Sequence, residues 1–211
     1  MIRHTSVDGK EHLHLIFRDH PLAHQHCTGN GVEIGAAAHN PFNLPGCINI
    51  APREGEDFYK NQQVHMCGSY AEIDLYGFAD DLPLEDASQD YVISSHMIEH
   101  CPNPIQVFLE WNRVLKPGGI VFMIVPLRNA LESDASRPIT PLEEIVAAYE
   151  NKVTVDTHPA ERLSHYYVYT MESMFQVVQW ANEHLNLGWH MIEWEAVDTK
   201  VGNGFTLVFR Y

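Results

Sequence analysis

Apolar positions along this chain follow two alternating rhythms. Short runs of apolar and β-branched residues fall near 31–35, 46–50, 71–76, 90–95 and 119–125. Asp90-Tyr91-Val92-Ile93-Ser94-Ser95 and Gly119 to Val125 are continuous enough to predict strands buried on both faces. Between those two strands the period becomes helical. Ile105, Phe108, Leu109 and Leu115 form a core-facing stripe, and Gln106, Glu110 and Arg113 are expected to face water. Asn103 is placed to cap this helix, Pro104 suits its first turn, and Lys116-Pro117-Gly118-Gly119 ends it. A short helix is predicted over 11–24, ahead of the core. A last helix is predicted from Thr170 to about Leu187, with Met171, Met174, Phe175, Val178 and Leu185 on one face and Gly188 as its stop. Strands near 189–196 and 204–210 are expected to pair antiparallel. Strands alternating with helices predict an α/β chain built on a parallel sheet.

After Pro126 the alternation stops. Residues 127–169 form a long, polar, proline-containing connection. Thr140-Pro141-Leu142-Glu143 within it reads as a capping box with proline at the first helical position. A connection of that length inside a compact domain is usually functional, so 127–169 is expected to be a lid or acceptor insertion within a single domain, 1–211.

The chain has 211 residues and a formal net charge of -15. So negative a surface repels phosphate backbones, which argues against nucleic acid as a partner. Four cysteines (Cys27, Cys47, Cys67, Cys101) lie far apart with no C-x-x-C, as expected for free thiols in a reducing compartment. The first fourteen residues hold no signal-like apolar stretch, and IVFMIV at 120–125 is too short to span a bilayer. The expectation is a cytoplasmic chain with no membrane partner.

The most informative segment is GVEIGAAAHNPF at 31–42, a short strand carrying Glu33 that runs into Gly35 and three alanines. Small residues there would let backbone approach a ligand, and the end of the first core strand is where nucleotide-like ligands sit in α/β sheets. This segment, GFADDLPLEDASQDYVISSHMIEH at 77–100 and LEWNRVLKPGGIVFMIVP at 109–126 together resemble the motif series of class I S-adenosylmethionine-dependent methyltransferases of the small-molecule type. The resemblance is close over about 30–126 and topological over 170–211. It implies a Rossmann-like three-layer sandwich, whose mostly parallel seven-stranded sheet has an antiparallel last strand, and S-adenosyl-L-methionine as cofactor.

Carried over residue by residue, the resemblance places Glu33, Gly35, Ala36 and Ala37 at the methionine part and Asn49 at the ribose. Phe78, Ala79 and Asp80 fall at the adenine, with Ser95 and His96 under the cofactor. Two positions depart from the family pattern. Asn49 stands where an acid usually grips the ribose hydroxyls, leaving Glu54, Glu56 or Asp57 to reach in. Phe78 stands where an acid is common.

Transfer to a hydroxyl needs a base, and histidine is the usual choice. The candidates are His96, His158 and His165, with Arg128, Asn129 and Tyr166 as acceptor contacts. His96-Met97-Ile98-Glu99-His100 also spells H-x-x-E-H, a zinc-peptidase pattern. The prolines at 102 and 104 leave too little helix for that chemistry, so no metal is expected. The sequence reading is therefore a methyltransferase acting on an oxygen or nitrogen of a small-molecule or sugar-type acceptor, as a monomer or homodimer. A catalytically inactive binding or regulatory protein on the same scaffold is the alternative.

Overall fold

A computed structural model describes residues 2–5, 11–14, 16–158 and 165–211, the first two segments by backbone alone. Strands β1 (Ile2–Thr5) and β2 (Glu11–His14) form an antiparallel hairpin. This corrects the helix expected over 11–24. Leu15 lies outside the described residues, and the helix α1 is confined to Pro21–His26. Pro21 sets that start, because its fixed φ and missing N–H suit only a first turn.

Five core strands run parallel: β3 (Gly31–Ile34), β4 (Cys47–Ala51), β5 (Leu75–Tyr76), β6 (Gln89–Ser95) and β7 (Leu115–Pro126). After β8 (His190–Glu195), the chain returns as β9 (Gly204–Arg210), which inserts antiparallel between β7 and β8. The order across the sheet is β5-β4-β3-β6-β7-β9-β8. The chain thus leaves β3 in one direction and later returns to β6 on its other side. The carboxyl ends of β3 and β6 consequently flank a topological switch point, where a crevice opens in sheets of this kind.

Helix α2 (Glu56–Cys67) joins β4 to β5. One face of the sheet is covered by helices α3 (Pro104–Val114), α5 (Leu142–Glu150) and α6 (Met171–Leu185). Trp111, Ile145, Met174 and Val177 from these helices share one buried cluster with Val92, Val121 and Met123 of the sheet. The opposite face packs α1 and the irregular residues Phe42 and Leu44 against Tyr91, Ile93 and Phe122. Residues 35–46 form no helix, so the alternation is broken between β3 and β4. Pro41 and Pro45 deny helical hydrogen bonds there, and Gly46 adopts a φ of +74°.

Helix α3 begins as expected, with Asn103 Oδ1 accepting from Gln106 N at 3.1 Å. Leu115 already belongs to β7. Glu110 does not face water. It is buried, accepts from Leu82 N at 2.7 Å, and is paired with Arg113 at 2.6 Å. The α6 stripe is Met174, Val177, Val178 and Ala181, while Phe175 is exposed. Thr170 and Ser173 form a reciprocal capping box at its start. Its end is set by Asn186 at φ +55°, ahead of Gly188.

The connection over 127–169 is only partly a separate feature. It contains α4 (Glu132–Ala135) and α5, and residues 159–164 lie outside the described part. The box expected at 140–143 is not made. Thr140 Oγ1 accepts instead from Val168 N at 3.0 Å, and the helix starts after Pro141. Ile145, Ala148, Tyr166, Tyr167 and Tyr169 are core residues. These residues of the connection are held by burial, while Val155 of the same connection lines the cavity at the switch point.

Candidate active site

A cavity of about 540 Å³ opens at the switch point, beside the carboxyl ends of β3, β4 and β6. Its wall includes Gly35, Ala36 and Ala37 after β3, Asn49 on β4, Phe78, Ala79 and Asp80 before β6, and His96 after it. Eight of the sequence-predicted cofactor residues are thus brought together. Phe78 and His39, the side chains bulky enough to plug the crevice, lie on its wall and leave it open.

Gly35 matters here for a reason other than space. Its φ is +75°, while a Cβ there would meet only Met97 Cγ at 3.7 Å. The turn that swings the chain off the sheet needs the left-handed conformation, with Gly35 N donating to Ile50 O at 2.9 Å.

Asn49 is committed to the scaffold. Its Oδ1 accepts from Ala36 N at 3.0 Å and its Nδ2 donates to Glu72 O at 2.7 Å. Its own N–H donates to Asp74 Oδ2 at 2.7 Å. The side chain therefore ties the 35–37 turn to the neighbouring loop, while one Oδ1 lone pair and one Nδ2 hydrogen are not used by these bonds. Glu54 and Glu56 line the same wall, and Asp57 does not. Glu56 is already engaged by Lys60 at 2.8 Å and by Tyr76 Oη at 3.1 Å.

At the other end, the Phe78 ring is exposed and the Phe78–Asp81 bridge shapes a tight turn. Burial pushes the Asp80 carboxyl above its usual range, assisted by the charges of Asp81 and Glu110. It is an acceptor at the edge of an apolar wall, suited to an exocyclic amine.

Glu33 and Ser95 do not line the cavity. Ser95 Oγ accepts from Asn40 Nδ2 at 3.0 Å. Glu33 is pushed up to about 8 by burial, with Lys200 as the opposing charge and Cys27, Cys47 and Tyr91 around it. The unfolded chain releases this proton near the ordinary glutamate value, before the folded chain does. Stability must therefore fall as pH rises from that value toward 8. The melting temperature is expected to be lower at pH 8 than at pH 6, and Glu33→Gln is expected to flatten that decline in a thermal melt series. An unchanged slope in the variant would assign the decline to other groups.

His96 stands at φ +51°, with its N–H donating to Ile124 O at 2.9 Å. Burial lowers its imidazole to about 4, so the ring is neutral near pH 7 and able to accept a proton. Its Nε2 would lie 3.2 Å from a Cβ built on Gly204. The glycine lets β9 pass close to the ring.

The other proposed side chains sit apart from the cavity. Arg128 and Asn129 are exposed in a turn after β7. Tyr166 is 3% exposed and belongs to the core cluster. His158 packs on Tyr166, with ring centroids 4.3 Å apart. His165 lies one layer behind the wall, edge-on to cavity-lining His100 at 4.7 Å. Its Nδ1 contacts Asp134 Oδ2, and its Nε2 lies 3.8 Å from Glu99 Oε1. Arg137 bonds Asp134 at 3.0 Å and the carbonyls of His165 and Tyr166 at 2.8 and 2.7 Å.

Comparison with known proteins agrees with this geometry. Residues 57–123 match the family model described as a methyltransferase domain. A probable S-adenosylmethionine-dependent methyltransferase of Mycolicibacterium smegmatis is 30% identical over 142 residues, covering 64% of this chain and 55% of that protein. A demethylmenaquinone methyltransferase of Bacillus pumilus is 38% identical over 74 residues, 32% of each chain. The chain thus spans about half the length of the first relative and a third of the second. A solved Pyrococcus horikoshii protein superposes with a TM-score of 0.54 at 19% identity, covering 90% of this chain and 86% of that one. A SAM-dependent methyltransferase from Methanosarcina mazei gives 0.52 at 16%, over 92% and 98%. These two structures speak for the fold. In sheet order, motif series and matched sequence together, the chain is similar to S-adenosylmethionine-dependent methyltransferases.

Proposed function

We propose that the protein transfers the methyl group of S-adenosyl-L-methionine to an oxygen or nitrogen of a small-molecule acceptor. The observation that carries this reading is the open cavity at the β3/β6 switch point, walled at one end by the 35–37 turn and at the other by Phe78-Ala79-Asp80. The first suits an amino-acid tail and ribose, the second an adenine. His96 between them is the candidate base. Methyl transfer is an in-line displacement, so alignment of acceptor and sulfonium supplies much of the rate, about 7–11 kcal/mol where geometry is ideal.

Glu54, on the same wall as Asn49, supplies the charged ribose contact that the Asn49 amide lacks. Calorimetric titration with S-adenosylhomocysteine is expected to give one site per chain. Glu54→Gln is expected to weaken it about tenfold, the loss of a charge-assisted hydrogen bond. No heat at millimolar ligand would overturn the methyltransferase reading. One observation favours a non-catalytic binding role on the same scaffold: β4 carries the neutral Asn49, which also braces backbone, so a charged ribose clamp is missing there. Cofactor binding without turnover across a panel of hydroxyl and amine acceptors would support that second reading.

A further inference from the structure

The H-x-x-E-H segment does not form the helix a peptidase needs. Its centre, Ile98–His100, is a single 3-10 turn directly after β6. That turn nevertheless gathers ligand-type atoms. Glu99, His100 and His165 each offer one, and the three lie within 4.8 Å of one another. Their spacing in sequence hides this, because His165 arrives from the far end of the 127–169 connection.

Two independent observations point to a cation here. First, Glu99 is completely buried and neither carboxylate oxygen has a hydrogen-bond partner among the described residues. A buried carboxylate left unpaired is costly. His165 Nε2 lies 3.8 Å and His96 Nδ1 3.9 Å from Glu99 Oε1, both beyond hydrogen-bond range. Second, His165 has the support that metal-binding histidines have. Its Nδ1 is held by the Asp134 carboxylate, which Arg137 fixes in turn. That contact sets the ring orientation and directs Nε2 to the Glu99 side.

We propose that Glu99, His100 and His165 form a binding site for one divalent first-row metal ion. Two imidazoles and one carboxylate suit zinc, and also manganese or iron where coordination positions stay open. Ligand bonds of about 2.0–2.2 Å place two donors on one ion roughly 3–4 Å apart, so loading draws the three side chains together by about an ångström. Three protein ligands leave room for a further one. His100 also lines the cavity, so the oxygen of an acceptor hydroxyl or carboxylate is the class of ligand that would complete the shell. The inference concerns the ion alone and does not depend on methyl transfer.

The test uses the full chain, stripped with a chelator and titrated calorimetrically with Zn²⁺ and with Mn²⁺. Wild type is expected to bind one ion per chain. Asp134→Asn is expected to weaken binding about 10–100-fold, as loss of an orienting partner does, and Glu99→Gln and His165→Ala by at least as much. In thermal melts, an ion at a hundred times its Kd is expected to raise the wild-type transition by about 5–10 °C. Glu99→Gln keeps the shape of the side chain, so its ion-free form is expected to melt at or above ion-free wild type while its ion-induced rise disappears. Wild type without stoichiometric metal, or Glu99→Gln binding metal as wild type does, would overturn the proposal. The fourteen histidines of the chain make the second outcome a real hazard. Titration with S-adenosylhomocysteine in parallel separates the two readings. Nucleoside binding without metal overturns only the ion site, and metal without nucleoside overturns only the methyltransferase.

Discussion

His96→Ala is expected to slow methyl transfer about 10²- to 10⁴-fold, the usual contribution of a positioned base, while changing affinity for S-adenosylhomocysteine by about threefold or less. The expectation rests on where the ring sits rather than on its being a histidine. Three imidazoles line the cavity: His39, His96 and His100. His96 alone follows directly from β6, the strand that flanks the switch point. It is kept neutral by burial, so it can accept a proton without first losing one. His39 is on the irregular 35–46 stretch, on the other side of the 35–37 turn, and edges against Phe17. His39→Ala is therefore the comparator, with an expected loss of about threefold or less. Single-turnover rates and cofactor titrations on both variants decide the matter. Equal losses in the two would mean that neither ring is the base and that each acts through packing. A loss in His96→Ala confined to cofactor affinity would assign the ring to binding instead.

The sequence made the repetitive parts of this structure legible. Strands β6 and β7 could be placed because they are buried on both faces and leave no polar alternation to misread. Helix α3 could be placed because Ile105, Phe108 and its Asn103 cap are all local signals. Glu110 was misassigned for the opposite reason. Its partner, Leu82 N, is 28 residues away, and nothing at helical spacing reveals it. Tyr166 was named as an acceptor contact for its hydroxyl. The packing that buries it is tertiary, beside Tyr167, whose Oη donates to Pro102 O at 2.7 Å. The same division holds at the site. Residues 35–37 and 78–80 were found through the order of motifs. His100 was not, and Glu54 was only one of three acids named, because a wall assembled from several separate segments has no period. The use of Asn49 as a brace was also out of reach, since its partners lie 13 and 23 residues away.

Asp198 illustrates how much of the site depends on a residue with no catalytic appearance, and its removal carries the largest expected effect on stability. The carboxylate is 2% exposed and accepts from four backbone donors: Lys200 N at 3.0 Å, Val201 N at 2.6 Å, Gly202 N at 3.1 Å and Gly204 N at 2.8 Å. These bonds fold residues 198–204 into the turn that delivers Gly204 opposite Pro126 and beside the His96 ring. Asp198→Ala strands all four donors and is expected to cost about 3–5 kcal/mol, the range for breaking a buried charged network. That is a large part of the roughly 5–15 kcal/mol that holds a domain together. Asp198→Asn keeps one acceptor oxygen and its two lone pairs, so it is expected to lose about half as much. Urea unfolding checks both, through the midpoint at unchanged slope. The graded order also predicts a functional consequence, because a loosened turn lets β9 drift from His96. On the proposed reading, Asp198→Asn is expected to lower the transfer rate while leaving cofactor affinity nearly intact. Two variants within about half a kcal/mol of wild type would show that the turn holds itself, and that His96 owes its position to β6 alone.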